Sequence, residues 1–317
     1  MTLPAGAGPP LHRRDRPASV VTGLLAVQVF FGFHYIGAKI ILAWLPPMGW
    51  ATIRAVSAAA ILIPVVLLSR RKWPDNPQDH LRLAIYAVFG VALNQSFFVL
   101  GLSRTVPSHS ALINTMIPVA TLIIAILMGR ETLNGSKAAG IAVSVAGALY
   151  LLAHSGLDLG EGILQGDLIT LGNALSYSFF LVISKPILTK YRSDVVTAML
   201  LLYGSIYIAA VGIWQLDAAT LSLVPASAWG WAVFVILFPT VGAYLLNAYA
   251  LKRVDSSLVA LFIYVQPLIA TALAALILGE RPTIHLGIAG ALIFAGVYLA
   301  VSGRIAEPAG ARAPTVP

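Results

Sequence analysis

Several side chains able to carry charge stand inside or at the ends of long apolar runs. His34 lies within the first run, Lys39 near its end in "GAKI", Arg54 early in the second and Lys185 at the end of the sixth in "ISKP". Glu131 and Glu280 close two further runs, in "ILMGRET" and "ILGERPT". Ionisable groups at such places are costly and mark either a partner or a pathway. Histidine ordinarily titrates near physiological pH, so His34 could couple a proton; the alternative is a neutral imidazole bonded to a neighbouring helix. Lys39 and Lys185 either touch a solute or gate, or snorkel to an interface along their methylene stems. Arg54 either bonds carbonyls at a helix end or attracts an anion near one mouth. Each glutamate either caps a turn, favouring the helix that follows it, or bonds across a mouth as a gate.

Uncharged polar groups fill out the pattern. Counting about 1.5 Å of rise per residue, the middle of the runs holds His34, Tyr35, Asn94, Gln95, Asn173, Tyr177, Tyr244, Asn247, Tyr264 and Gln266, with Asn114 slightly outward. With Lys39 these are the candidate substrate contacts. Amides at that depth need partners, whereas tyrosines also simply fill cores. No Asp or Glu lies near the middle of a run. That chemistry suits a neutral, zwitterionic or anionic small molecule. A phosphate ester calls for clustered Lys and Arg, and here the cations are scattered. No H-E-x-x-H motif occurs and there is no cysteine, so neither a metal site nor a cofactor is expected.

The runs themselves must position these groups. The chain of 317 residues is 59% hydrophobic and 10% charged, with mean hydropathy +0.88. A soluble domain carries roughly 25% charged residues, so lipid is the expected solvent. A bilayer core takes about 20 apolar residues as helix. Ten such spans are expected, near 19–43, 49–69, 82–103, 109–129, 135–153, 166–188, 194–214, 229–251, 256–278 and 284–303. The first is read as a retained helix and not a signal peptide, because no small-residue cleavage site follows it. With the N-terminus in the cytoplasm, fifteen of the twenty Lys and Arg fall on the cytoplasmic side, two on the other and three within spans. Cytoplasmic loops retain basic residues, so both ends are expected inside. The net charge of +8 thus speaks to topology and not to nucleic acid.

The two glutamates are 149 positions apart. The same offset pairs Pro118 with Pro267, Gly147 with Gly296 and Ala111 with Ala260. Five spans per copy force the second copy to enter the membrane upside down, as in the inverted repeats of secondary transporters. The expected organisation is a cytoplasmic tail (1–18), a first repeat (19–153), a periplasmic linker (154–165), a second repeat (166–303) and a second tail (304–317). The polar groups fall on helices 1, 3 and 4 and on their repeat mates 6, 8 and 9. Helices 5 and 10 carry small-residue stripes, Gly140/Ser144/Ala148 and Gly287/Ala291/Ala295, suited to close packing as scaffold.

The paired segments "ALINTMIPVATLIIAILMGRE" and "ALFIYVQPLIATALAALILGE" resemble the EamA-type branch of the drug/metabolite transporter superfamily. The stretch "NQSFFVLGLSRT" is also similar to plant amino-acid and auxin facilitators of that superfamily. The resemblance implies a ten-helix carrier with a central site between its halves, exporting amino acids or similar metabolites from a bacterial inner membrane as a monomer or homodimer. Related branches carry nucleotide sugars or triose phosphates. An intramembrane enzyme or a channel is the reading from another class; the inverted repeat and the lack of paired acids speak against both.

Overall fold

The computed structural model describes residues 18–69, 71–129, 133–159, 162–253, 259 and 262–305. No strand occurs among them. The main helices are α1 (Ala18–Leu42), α2 (Pro47–Leu68), α3 (Pro77–Arg104), α4 (Pro107–Leu127), α5 (Gly135–Leu159), α6 (Ile163–Ile183), α7 (Ser193–Gly212), α8 (Ala226–Leu251), α9 (Phe262–Leu278) and α10 (Ile284–Ile305). Seven of these, α1–α4 and α6–α8, are long and apolar enough to cross a membrane, while α5, α9 and α10 present shorter apolar stretches. Leu68, Leu127, Trp214 and Leu276 are all at least 80% exposed. In water such a surface would be a liability; in lipid it is the solvated face.

Local chemistry sets the helix ends. Pro47, Pro77 and Pro107 each open a helix, where a missing N–H costs nothing. The Asn76 side chain caps α3 by accepting from the Gln78 N–H. Outside the spans, Asp217 caps the short helix Ala218–Leu223, and the Thr220 backbone N–H holds its carboxyl below the usual carboxylate range. The ends of α4 and α9 are marked by Gly129 and Gly279, with φ of 67° and 70°. That left-handed turn suits glycine, and in each case it immediately precedes the charged pair of "GRE" or "GER". Helix α5 runs on through Leu159, into the stretch expected to be linker. The glycine there, Gly156, costs a helix only about 1 kcal/mol, too little to end one.

Packing follows a pattern that swaps between the halves. Helix α2 lies along α7 and α5 along α10, while α6 packs on α3 and α4 as α1 packs on α8 and α9. Two crossings are backbone-close. A Cβ on Gly296 would sit 2.4 Å from the Ser144 amide and 2.6 Å from the Gly140 carbonyl oxygen, and one on Gly166 2.7 Å from the Thr105 amide. The first stripe therefore forms the α5 side of the α5–α10 crossing, as its spacing suggested. The second stripe does not: Gly287, Ala291 and Ala295 are exposed, and α10 instead presents Ala289, Ile293 and Gly296.

Candidate functional site

Four helices lose their regular hydrogen bonding at the level of the polar residues. Helix α3 is π-helical over Val88–Leu93 and α8 over Ile236–Gly242. Helix α4 is interrupted at Thr115–Met116 and restarts at Ile117, with Pro118 in its first turn. Helix α9 begins as 3-10 over Phe262–Val265 and becomes regular at Gln266, with Pro267 in its first turn. Proline cannot donate to the preceding turn, so a break just before it is the expected local structure. The irregularities follow the repeat offset: 117 and 266 differ by 149, as do the ends of the π segments at 93 and 242. Irregular backbone frees carbonyls, which in lipid must find partners. The partners are side chains of the facing half. Ser176 donates to the Phe89 carbonyl at 2.8 Å, Tyr244 to that of Gly90 at 2.9 Å, and Asn173 to that of Asn94 at 2.6 Å.

Between these segments lies a cavity. From α1 it is lined by Val27, Gln28, Phe31, His34 and Tyr35; from α3 and α4 by Asn94, Phe98, Asn114 and Ile117. From the other half come Asn173, Tyr177 and Leu181 of α6, then Pro239, Thr240, Tyr244 and Asn247 of α8. Val259, Ile263 and Gln266 complete the lining, together with Arg54 from α2. One polar chain crosses it. Asn114 Nδ2 donates to the Tyr35 hydroxyl at 2.8 Å, Tyr35 donates to Gln266 Oε1 at 3.3 Å, and Gln266 Nε2 donates to Gln28 Oε1 at 2.7 Å.

Arg54 sits against this lining and not at a mouth. Its Nε donates to Gln95 Oε1 at 3.1 Å and one Nη stands 2.7 Å from His34 Nε2. A guanidinium only donates, so His34 Nε2 accepts, and the neutral imidazole carries its proton on Nδ1. That matches the expected alternative of a neutral histidine bonded to a neighbouring helix. The imidazole stacks on Phe98 at 4.6 Å, and the guanidinium lies 5.8 Å from the same ring. The expectation that Arg54 bonds helix-end carbonyls does not hold: its partners are side chains of α1 and α3, which approach α2 only once the bundle is packed.

Nine of the twelve expected contacts therefore line one cavity: His34, Tyr35, Asn94, Asn114, Asn173, Tyr177, Tyr244, Asn247 and Gln266. Three do not. Lys39 Nζ donates to the carbonyls of Leu102 and Thr105 at 2.8 and 2.6 Å, capping the end of α3, where unpaired carbonyls and the helix dipole both attract a cation. Gln95 is fully buried behind Arg54. Tyr264 packs on Phe294 of α10, at 5.7 Å. Lys185 is exposed at the start of the short helix Lys185–Lys190, away from the cavity. Glu280 reaches across the halves: its Oε2 accepts from Ser108 Oγ at 2.6 Å. Glu131 lies outside the described residues. Sequence reasoning missed Gln28, Phe31, Phe98 and Thr240; Gln28 and Thr240 are polar groups at cavity depth, which the same depth count could have found.

With this geometry in view, comparison with known proteins is decisive. The EamA-like transporter family matches residues 18–153 and again 164–302. The chain belongs to the EamA-like transporter family. It is a multi-pass integral membrane transporter of the drug/metabolite transporter superfamily, and not an enzyme. An "Uncharacterized transporter" of Archaeoglobus fulgidus is 25% identical over 87% of this chain and 95% of its own length. The "Uncharacterized transporter YyaM" of Bacillus subtilis is 24% identical over 90% of this chain and 94% of its own. The "Protein WALLS ARE THIN 1" of Arabidopsis thaliana is 25% identical over 88% of this chain and 81% of its own. A solved crystal structure, 21% identical, aligns with TM-score 0.66 over 92% of this chain and 100% of its own. That likeness shows that the two chains share a fold.

Proposed function

We propose that this EamA-like transporter is a secondary carrier that exports small metabolites, amino acids or similar zwitterionic or anionic compounds, from a bacterial cell across its inner membrane. The chain crosses the membrane ten times with both ends in the cytoplasm. Its two five-helix repeats run in opposite senses, and the cavity between them opens to each side in turn. The observation that carries this reading is the matched pair of broken helices, α4 and α9, which flank the cavity at positions 149 residues apart. Discontinuous helices meeting at mid-depth are how alternating-access carriers build a site. The swapped packing of α1 and α6 and the matched π segments support it, because each half then holds the same device in the opposite sense. A phosphorylated substrate finds one arginine and no lysine among the described lining residues, a poor match for a multiply charged ester.

Counterflow in proteoliposomes tests the reading. Vesicles loaded with unlabelled solute are expected to take up labelled solute in a saturable way, faster than empty vesicles. Flux that rises linearly with concentration and is indifferent to the internal solute would refute a carrier.

A further inference from the structure

We propose that Arg54 selects the charge of the solute, and that the solute is an organic monoanion: a carboxylate on an apolar body, not a zwitterion or an amine. The inference rests on the transport reading and narrows its solutes from zwitterionic or anionic compounds to the anionic ones. Arg54 is 4% exposed and lines the cavity. Its two side-chain hydrogen bonds go to Gln95 and His34, both uncharged as bonded. They orient the guanidinium without neutralising it, and a guanidinium has five N–H donors to place. An uncompensated cation at this depth is expensive.

No carboxylate among the described residues relieves it. Glu280 is engaged by Ser108, and Asp167 by Thr105 and His109. Asp79 is engaged by Lys190 and Tyr191, and Asp194 by Arg192. None of these four acids lines the cavity.

A second observation points the same way. His34 is 4% exposed, lines the cavity, and its Nδ1 is buried without a partner. Since Nε2 accepts from Arg54, Nδ1 is an N–H donor. The lining thus offers unpaired donors beside a fixed positive charge, which is the arrangement an anion completes. For an ammonium it offers neutral acceptors, among them the buried and unpartnered Asn114 Oδ1, and no negative charge. Most of the remaining lining surface is apolar, from Phe31, Phe98, Ile117, Leu181 and Ile263, with neutral amides and hydroxyls between them. One cation in a mostly apolar, otherwise uncharged enclosure matches one carboxylate on a hydrocarbon or aromatic body.

The test uses the purified full chain and matched sets of solutes. In each set one apolar body, phenyl or a short alkyl chain, carries in turn a carboxylate, an amide, an amine or an amino-acid group. Thermal stabilisation reports binding, and counterflow reports transport. Carboxylates are expected to bind at least about tenfold more tightly than their amides. Arg54→Gln should erase that advantage, read as the ratio of carboxylate to amide affinity in the same variant, and Arg54→Lys should keep part of it. Asn114→Asp, which places an acid in the cavity and keeps Arg54, should weaken the carboxylates and favour the amines. The assignment is overturned if no carboxylate stabilises the wild type. It is overturned equally if amines or zwitterions bind best, or if Arg54→Gln retains the carboxylate preference. Stabilisation by carboxylates with no counterflow of any solute would leave the anion site standing and remove the transport reading instead.

Discussion

Replacing Gly296 with leucine is expected to force α10 off α5 and lower the thermal midpoint in detergent by roughly 10 °C, with aggregation on extraction. The side chain has nowhere to go. Its first atom would fall 2.4 Å from the Ser144 amide and 2.6 Å from the Gly140 carbonyl, both backbone, and the Ser144 hydroxyl is just as near. The partner surface is close too: a Cβ on Gly147 would meet the Ile293 amide at 3.0 Å. Helix α5 makes its most extensive contact with α10, so a displaced α10 takes much of the packing of α5 with it. Overpacking a well-packed site costs about 1–3 kcal/mol, and a backbone crossing belongs at the upper end. Gly287→Leu, one helix face away, meets nothing within 4 Å and should leave the midpoint unchanged. Equal midpoints for the two variants, measured by fluorescence-detected size exclusion after heating, would contradict the packing described.

The second large effect is expected at Asp167. This carboxylate and His109 are buried, with His109 Nδ1 and Asp167 Oδ2 at 2.9 Å. The other oxygen accepts from Thr105 Oγ1. Together they tie the α3–α4 turn to the start of α6 where Gly166 lets the two backbones touch. Alanine at 167 strands a buried imidazole and a buried hydroxyl at once, and removing one member of such a group costs about 3–5 kcal/mol. Asparagine keeps one acceptor and should lose less, about 1–3 kcal/mol. Urea or thermal melts in one detergent rank the variants. An alanine variant as stable as the asparagine one would show that the cluster contributes nothing.

Much of this arrangement was legible in the sequence, and the failures have physical causes. Depth counting placed nine residues around one cavity because polar groups in lipid either face a cavity or pair, and the middle of each span is easily counted. The same count placed Tyr264 there too. It packs instead on Phe294, a rotation about the helix axis that depth does not encode. Lys39 is a similar case. Whether a cation near a helix end meets solute, lipid or carbonyls depends on where the end of α3 lies, and that is fixed by tertiary packing. Arg54 was readable as a costly charge but not as a cavity group, since its partners lie 20 and 41 positions away on other helices. The α10 stripe failed because several faces of that helix carry small residues. The contact residue, Gly296, is the repeat mate of Gly147, but the sequence marked the two only as a repeat pair. The breaks in α4 and α9 were visible only as Pro118 and Pro267, and the π segments only as a glycine in each and Pro239 in the second.

The exchange of the cavity between two faces is tested most directly at the Ser108–Glu280 contact, which joins the halves at one end of the bundle. The chain has no cysteine of its own, so Ser108→Cys and Glu280→Cys can be bridged by a short reducible bis-thiol reagent without background. The account predicts that bridged protein still binds solute but shows no counterflow, and that reduction of the bridge restores it. Counterflow by the bridged protein at the unbridged rate would contradict alternating access.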